Sequence, residues 1–251
     1  MIPSINVTIW GKPVGSLVET GSGRNRQICF YFDPMFVRSG LDISPLRASI
    51  NGIVAQKGMP IYPEKDRLYG GLPSFIADSM PDNWGHLVFS QWAKAHNINM
   101  KNITALDRLA YIGRRGMGAL EFIPPTSAAM ETSFKVEIDQ LSNLAQTMLT
   151  QAKDFKAQLS PDLIVESLFR VGTSAGGRRP KALINVNPES GECYSGQVAT
   201  ELPGFIPMII KFDEHIDLPT TRIEYAYYLM AQQAGLRMMP SRLLEGKDCL
   251  L

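Results

Sequence analysis

Residues 172 to 184 read GTSAGGRRPKALI: glycines and small hydroxyl residues, three cations, then an apolar run of strand character. Glycine has no Cβ, so backbone N–H groups in such a loop can come close to an anion. Lys181 stands where the apolar run begins, and a second lysine, Lys211, lies within the strand-like MIIKFDE. Glu224 follows in the first turn of an amphipathic segment that starts at Thr221. The chemistry these residue types offer is the binding of phosphate: backbone donors to surround it, lysines to neutralise it, and a carboxylate to hold a lysine in place.

A small-residue loop, a strand lysine and a glutamate on the next helix, in that order, follow the logic of a protein-kinase N-lobe. The loop itself is neither G-x-G-x-x-G nor G-x-x-x-x-G-K-[ST], so neither standard phosphate motif is met. Each part also has a plain structural reading. The loop is then a surface turn, Lys211 carries its ammonium out to water along an apolar stem, and Glu224 closes a T-x-x-E capping box with Thr221.

Other chemistry is poorly supplied. His86, His96 and His215 are not at metal-ligand spacings and fit surface or cap positions. No G-x-S-x-G elbow is present, and Ser174 has no evident base beside it. Asp78, Asp82 and Asp107 fit helix ends. Arg114-Arg115 and Arg178-Arg179 fit solvated basic loops, with phosphate or nucleic-acid contact as the alternative. The 25 basic residues balance 24 acidic ones, so no global field favours nucleic acid or a membrane surface. An apolar fraction of 45% over 251 residues allows one large core or two smaller ones. Cys29, Cys193 and Cys249 are odd in number and far apart, as expected of reduced thiols in a cytoplasmic protein. The N-terminal residues lack a signal-peptide pattern, and no run approaches the roughly 18 apolar residues of a membrane span.

The elements that must hold the phosphate-type residues can be traced by period. Ile5 to Trp10 alternates as a strand, Gly11 to Gly15 turns into a second, and Gln27 to Phe32 is a third, stopped by Asp33-Pro34. From Leu72 the period turns helical. Phe75, Ile76, Ser79 and Met80 share a face, Trp84 to Ala95 aligns Leu87, Val88, Gln91 and Trp92, and Thr104 caps a helix running to Ile112. Pro124-Pro125-Thr126-Ser127 is the linker candidate and divides the chain into residues 1–125 and 126–251. Beyond it, Ile138 to Lys153 aligns Leu141, Leu144, Ala145 and Met148, and Ser160-Pro161-Asp162 opens a further helix. Lys181 to Asn187 and Glu192 to Gln197 make a hairpin, and Met208 to Phe212 is a strand after Pro207. The helix from Thr221 carries Ile223, Ala226, Tyr227, Met230, Ala231 and Ala234 as its apolar stripe, with Gly235 as the stop. The expected class is α+β, with a small antiparallel N-terminal sheet or barrel and helices, then a second sheet.

Several stretches together resemble one family. LPSFIADSMPDNWGHLVF (72–89) is similar to its L-P-x-F-x-x-D-x-L-P-D-x-W-G-x-x-L signature, and ALDRLAYIGRRGMGALEFIP (105–124) to its R-L-x-x-x-G-x-x-x-x-G-A-L block. GTSAGGRRPKALI resembles its S-x-x-G-x-x-P-K loop, and MIIKFDE with IEYAYYLMAQQAGL its I-K-F and helix-C segments. The family is the HipA-like serine/threonine kinases, the toxin half of HipBA-type toxin–antitoxin modules. The resemblance runs over essentially the whole chain in the family's order.

That resemblance implies roles. Ser174 corresponds to the autophosphorylated serine, and Gly176, Gly177, Arg178, Arg179, Pro180 and Lys181 to the loop that closes over ATP phosphates. Lys211 corresponds to the strand lysine that contacts them and Glu224 to the helix-C acid that orients it. A phosphate on Ser174 would add about two negative charges to a loop that must hold phosphates, so an ejected, inactive loop is expected. ATP with Mg²⁺ is the implied cofactor pair. A HipB-like helix-turn-helix antitoxin, and through it operator DNA, is the implied partner, and a protein such as an aminoacyl-tRNA synthetase the implied substrate. In some relatives the N-terminal subdomain is a separate protein that restrains the kinase. The implied fold is an N-terminal subdomain followed by a kinase N-lobe with helix C.

The family's hinge, catalytic-loop aspartate and metal-binding aspartate belong to a helical C-lobe beyond helix C. Asp248 is the last carboxylate of this sequence, with no asparagine five residues on. The expectation is a chain with no catalytic residue and no Mg²⁺ site of its own, inactive alone, and either a fragment or one piece of a split gene whose C-lobe is separately encoded. The alternatives are a non-catalytic regulatory module that docks a kinase or an antitoxin–DNA complex, and a degraded gene product with no role.

Overall fold

The computed structural model describes residues 4–21, 27–64, 69–124, 134–150, 177–196, 202–213, 218–244 and 249–250. Ser174 and Gly176 of the phosphate-type loop, the helix expected from Ser160, His215 and Asp248 lie outside the described residues. The fold is α+β, and by contacts it forms two compact units: Met1–Met80 with Asn99–Glu131, and Pro81–Ile98 with Thr132–Leu251.

The first unit is built on an antiparallel sheet of β1 (Ser4–Ile9), β2 (Lys12–Thr20), β3 (Gln27–Phe32) and β4 (Leu120–Ile123), in the order β3-β2-β1-β4. The two-residue period puts Ile5, Val7 and Ile9 on one buried face. Trp10 and Gly11 both take positive φ (50° and 72°), as a two-residue hairpin turn requires. Gly15 lies so close to β3 that an added Cβ would stand 2.1 Å from Tyr31 O. β4 pairs Phe122 with Val7; its four residues are too few to show a period, and only long-range pairing defines it.

Helices α1 (Pro34–Ser39), α2 (Ile53–Gln56), α3 (Ser74–Ala77) and α5 (Ala105–Ile112) complete this unit. Phe36, Leu72, Ile76, Leu106 and Leu109 share one core with Val7, Phe30 and Phe122 of the sheet. Asp33-Pro34, which ends β3, also starts α1: Asp33 Oδ1 accepts from Met35 N and Phe36 N, and Pro34 takes the first helical position. Thr104 and Asp107 close a capping box on α5. Arg115, expected in a solvated loop, is buried instead and donates from Nη2 to Tyr111 O at 2.6 Å. Carbonyls of the last turn of α5 have no helical partner, and a guanidinium satisfies one of them.

The second unit holds a sheet of β5 (Lys181–Val186), β6 (Cys193–Ser195), β7 (Ile206–Phe212), β8 (Leu243–Leu244) and β9 (Cys249–Leu250), in the order β6-β5-β7-β9-β8. Its helices are α4 (Asn83–Ala95), α6 (Ile138–Thr150) and α7 (Thr220–Gln233). Trp84, Val88 and Trp92 of α4, Leu141, Ala145 and Met148 of α6, and Ala182, Ile184, Ile210 and Phe212 of the sheet are all buried. Asn187 turns the β5–β6 hairpin, its Oδ1 accepting from Glu189 N and Ser190 N. Pro207 is tolerated in β7 because β9 pairs only with Lys211 and Phe212, so at Pro207 the strand has a partner on one side.

The apolar stripe of α7 does not face inward as its period predicts. Ile223, Tyr227 and Met230 are 44%, 67% and 60% exposed, while Thr220, Thr221 and Tyr228 are buried. Polar anchors set the rotation of this helix. Thr220 and Thr221 bond Asp213, Glu224 bonds Lys211, and Tyr228 follows seven residues after Thr221 on that same face. Cys29 and Cys193 are buried and neither is in a disulfide. Among the described residues no helix is long and apolar enough to cross a membrane.

Candidate polyphosphate site

The site begins with a cross-strand pair. Lys181 on β5 lies directly opposite Lys211 on β7, so two ammonium groups leave the same face of the sheet. Like charges in that position repel and cost stability unless anions stand between or beside them. Each lysine here has its own carboxylate.

Lys211 Nζ donates to Glu224 Oε1, joining β7 to α7. Glu224 Oε2 is also 3.7 Å from Arg179 Nη1. These groups are partly open to water, so their pairing adds little to stability, and an incoming anion can reach them. Lys181 differs in being 5% exposed. Its Nζ donates to Gly177 O at 2.8 Å and lies 3.9 Å from Asp82 Oδ2. Its own carbonyl accepts from Trp84 Nε1 at 2.8 Å. Burial holds the Lys181 ammonium below the ordinary lysine range; the Asp82 carboxylate opposes that shift and the Lys211 charge adds to it.

Gly177 takes φ of +106°, a conformation L side chains rarely adopt, and an added Cβ would come within 3.0 Å of Lys181 Nζ. Gly177, Arg178 and Arg179 are exposed, while Pro180 is buried and its carbonyl accepts from Phe212 N at 3.0 Å. The fold thus brings Gly177, Arg179, Lys181, Lys211 and Glu224 into one patch. Arg178 lies on the same loop.

Sequence reasoning missed Asp213. It is 5% exposed and accepts from Thr220 Oγ1 and Thr221 N, each at 2.8 Å, and from Thr221 Oγ1 at 3.1 Å. Its carbonyl accepts from Gln146 Nε2 of α6. The expected T-x-x-E box is therefore not formed. Asp213 satisfies the Thr221 N–H and two threonine hydroxyls of the first turn of α7 from outside the helix, Pro219 at the N-cap makes no side-chain bond, and Glu224 is left to meet Lys211. The signal available in the sequence was a carboxylate two residues after a strand lysine, followed by a Thr-Thr helix start.

This donor set suits an anion and not Mg²⁺. Both Asp213 oxygens are taken up by α7, Glu224 is tied to Lys211 and Arg179, and Asp82 spends Oδ1 on capping α4 at Gly85 N. A divalent ion needs several open oxygen ligands. A separate cleft of about 460 Å³ in the first unit, lined in part by Asn6, Thr8, Ser16, Tyr31 and Asp33, contains none of these groups.

A family model described as the HipA N-terminal domain matches residues 5–123. Residues 5–123 are thus similar to a HipA N-terminal domain. No curated protein matches it. The matched stretch contains the four-stranded sheet and its helices, and it also contains α4. α4 nevertheless belongs to the second unit, where its N-cap Asp82 and its first-turn Trp84 meet Lys181.

Proposed function

We propose that this chain is HipA-like and holds ATP phosphates as the N-lobe portion of a serine/threonine kinase of the toxin–antitoxin type. The observation that carries the reading is the opposed pair Lys181 and Lys211, the second lysine anchored by Glu224 of the following helix. Lys211, fixed in direction by Glu224, neutralises phosphate oxygens at the open side of the patch. Lys181 does so from beneath, and Arg179 exchanges its long contact with Glu224 for a phosphate. N–H groups of the Gly177 loop add uncharged donors. ATP, when bound, supplies the phosphoryl group that a serine hydroxyl receives. The base that takes the hydroxyl proton and the metal ligands are assigned by the resemblance to a helical C-lobe. Autophosphorylation at Ser174, control by a HipB-like antitoxin on operator DNA and a protein substrate are part of the same proposal.

Calorimetric titration of the chain with ATP tests it. Lys211→Met removes a charge-assisted contact worth about 1.5–3 kcal/mol, a loss of roughly tenfold or more in affinity. Glu224→Gln weakens binding less, because Lys211 keeps its charge and loses only its anchor. Absence of ATP binding by the native chain, or binding unaffected by Lys211→Met, overturns the reading. The alternative of a regulatory module that docks a kinase or an antitoxin–DNA complex draws support from the exposed Ile223, Tyr227 and Met230. Under that reading Lys211→Met leaves partner capture unchanged.

A further inference from the structure

Lys181 is held at both ends by the start of one helix. Trp84 Nε1 binds its carbonyl, and two residues earlier Asp82 faces its ammonium. Asp82 divides its two oxygens. Oδ1 accepts from Gly85 N at 3.1 Å and caps α4. Oδ2 is buried and has no hydrogen-bond partner among the described residues, although it lies 3.9 Å from Lys181 Nζ. Capping needs one oxygen, and asparagine or serine would serve as well. A buried carboxylate oxygen without a hydrogen bond is costly, so the second oxygen calls for an explanation beyond capping.

We infer that Asp82 is a positioning residue for the phosphate site, its free oxygen keeping the Lys181 ammonium charged and aimed into the Gly177 loop. The inference rests on the reading of this patch as a phosphate site. At 3.9 Å the oxygen attracts the ammonium without consuming one of its N–H donors. Lys181 spends one donor on Gly177 O, which leaves the other two for an anion. Among the described residues the charges facing Lys181 are Asp82 at the start of α4 and Lys211 from β7, and Lys211 is tied to Glu224, which also meets Arg179. Burial and Lys211 both favour a neutral amine, and Asp82 is the group that opposes them. The same oxygen lies 3.9 Å from where a Cβ on Gly177 would stand, so a glycine there lets loop, lysine and carboxylate close together.

The test is Asp82→Asn in the full chain, which keeps the cap and removes the charge. The Lys181 amine is titrated by NMR of ¹³Cε-labelled lysine, assigned through Lys181→Arg, and ATP affinity is measured across the same pH range. The expected result is a Lys181 midpoint at lower pH than in the native chain. ATP affinity then also falls away at lower pH as the amine loses its proton, with the melting temperature little changed. Asp82→Ser, which caps through its hydroxyl, gives the same shift and serves if the asparagine variant folds poorly. An unshifted midpoint, or ATP affinity raised at every pH, overturns the inference; the second result would make Asp82 merely a repelling charge. A shifted midpoint without ATP binding by either protein leaves Asp82 in its role and overturns the nucleotide reading instead.

Discussion

At the scale of single residues, Asp213 does more structural work than any group the sequence marks for chemistry. One carboxylate joins the end of β7 to the first turn of α7 through three hydrogen bonds, and its carbonyl reaches α6. Asp213→Ala removes the cap of α7 and leaves two buried threonine hydroxyls without an acceptor. A loss of about 2–4 kcal/mol is expected in urea denaturation, from a missing cap plus unsatisfied buried groups. Since Asp213 also sets the rotation that presents Glu224 to Lys211, Asp213→Ala should weaken ATP binding with both ends of that ion pair intact. The phosphate-type residues were legible because small residues, lysines and a carboxylate are unusual in that order. Asp213 was not, because a carboxylate that caps a helix seven residues away has no local signature.

At the scale of elements, period and punctuation account for what could be read. β1 alternates, β3 is a short apolar run stopped by Asp33-Pro34, α4 and α5 have polar N-caps at Asp82 and Thr104, and the β5–β6 hairpin turns at an Asn-Pro. α1 was hidden because Asp33-Pro34 is both a strand stop and a helix start. β4, β8 and β9 are four or fewer residues long, and pairing with distant strands is what defines them. The stripe of α7 was legible as a stripe, but the face that turns inward is set by Thr221, Glu224 and Tyr228. Met230→Lys should therefore change stability by less than about 0.5 kcal/mol, as on any exposed surface. Tyr228→Ala, at a site 8% exposed, should cost about 3 kcal/mol or more in the same denaturation assay.

At the scale of the whole molecule, the chain order and the packing order differ at α4. This helix precedes the proline-rich stretch at Pro124, yet it packs in the second unit, and Trp84, Val88, Phe89 and Trp92 are buried there. A chain cut at residue 125 should then yield two pieces that bind each other through α4 and elute together in gel filtration. Replacing Trp84 and Trp92 by serine in the first piece should separate them, since the buried apolar area of two indoles is lost. Separate elution of the unaltered pieces would contradict the packing of α4 in the second unit.

The sequence by itself determined the α+β class, most of the longer elements, and the set of cations from Gly177 to Lys211, because period, caps and residue type are local properties of a chain. The resemblance it carries to HipA-like proteins is matched over residues 5–123. Only the tertiary structure decided that Lys181 faces Lys211 across two strands, that Glu224 serves Lys211 instead of capping its own helix, and that Asp82 reaches Lys181 across 99 positions of chain. Those are relations between elements. Strand register and helix rotation fix them, and both depend on which buried polar groups find partners at a distance.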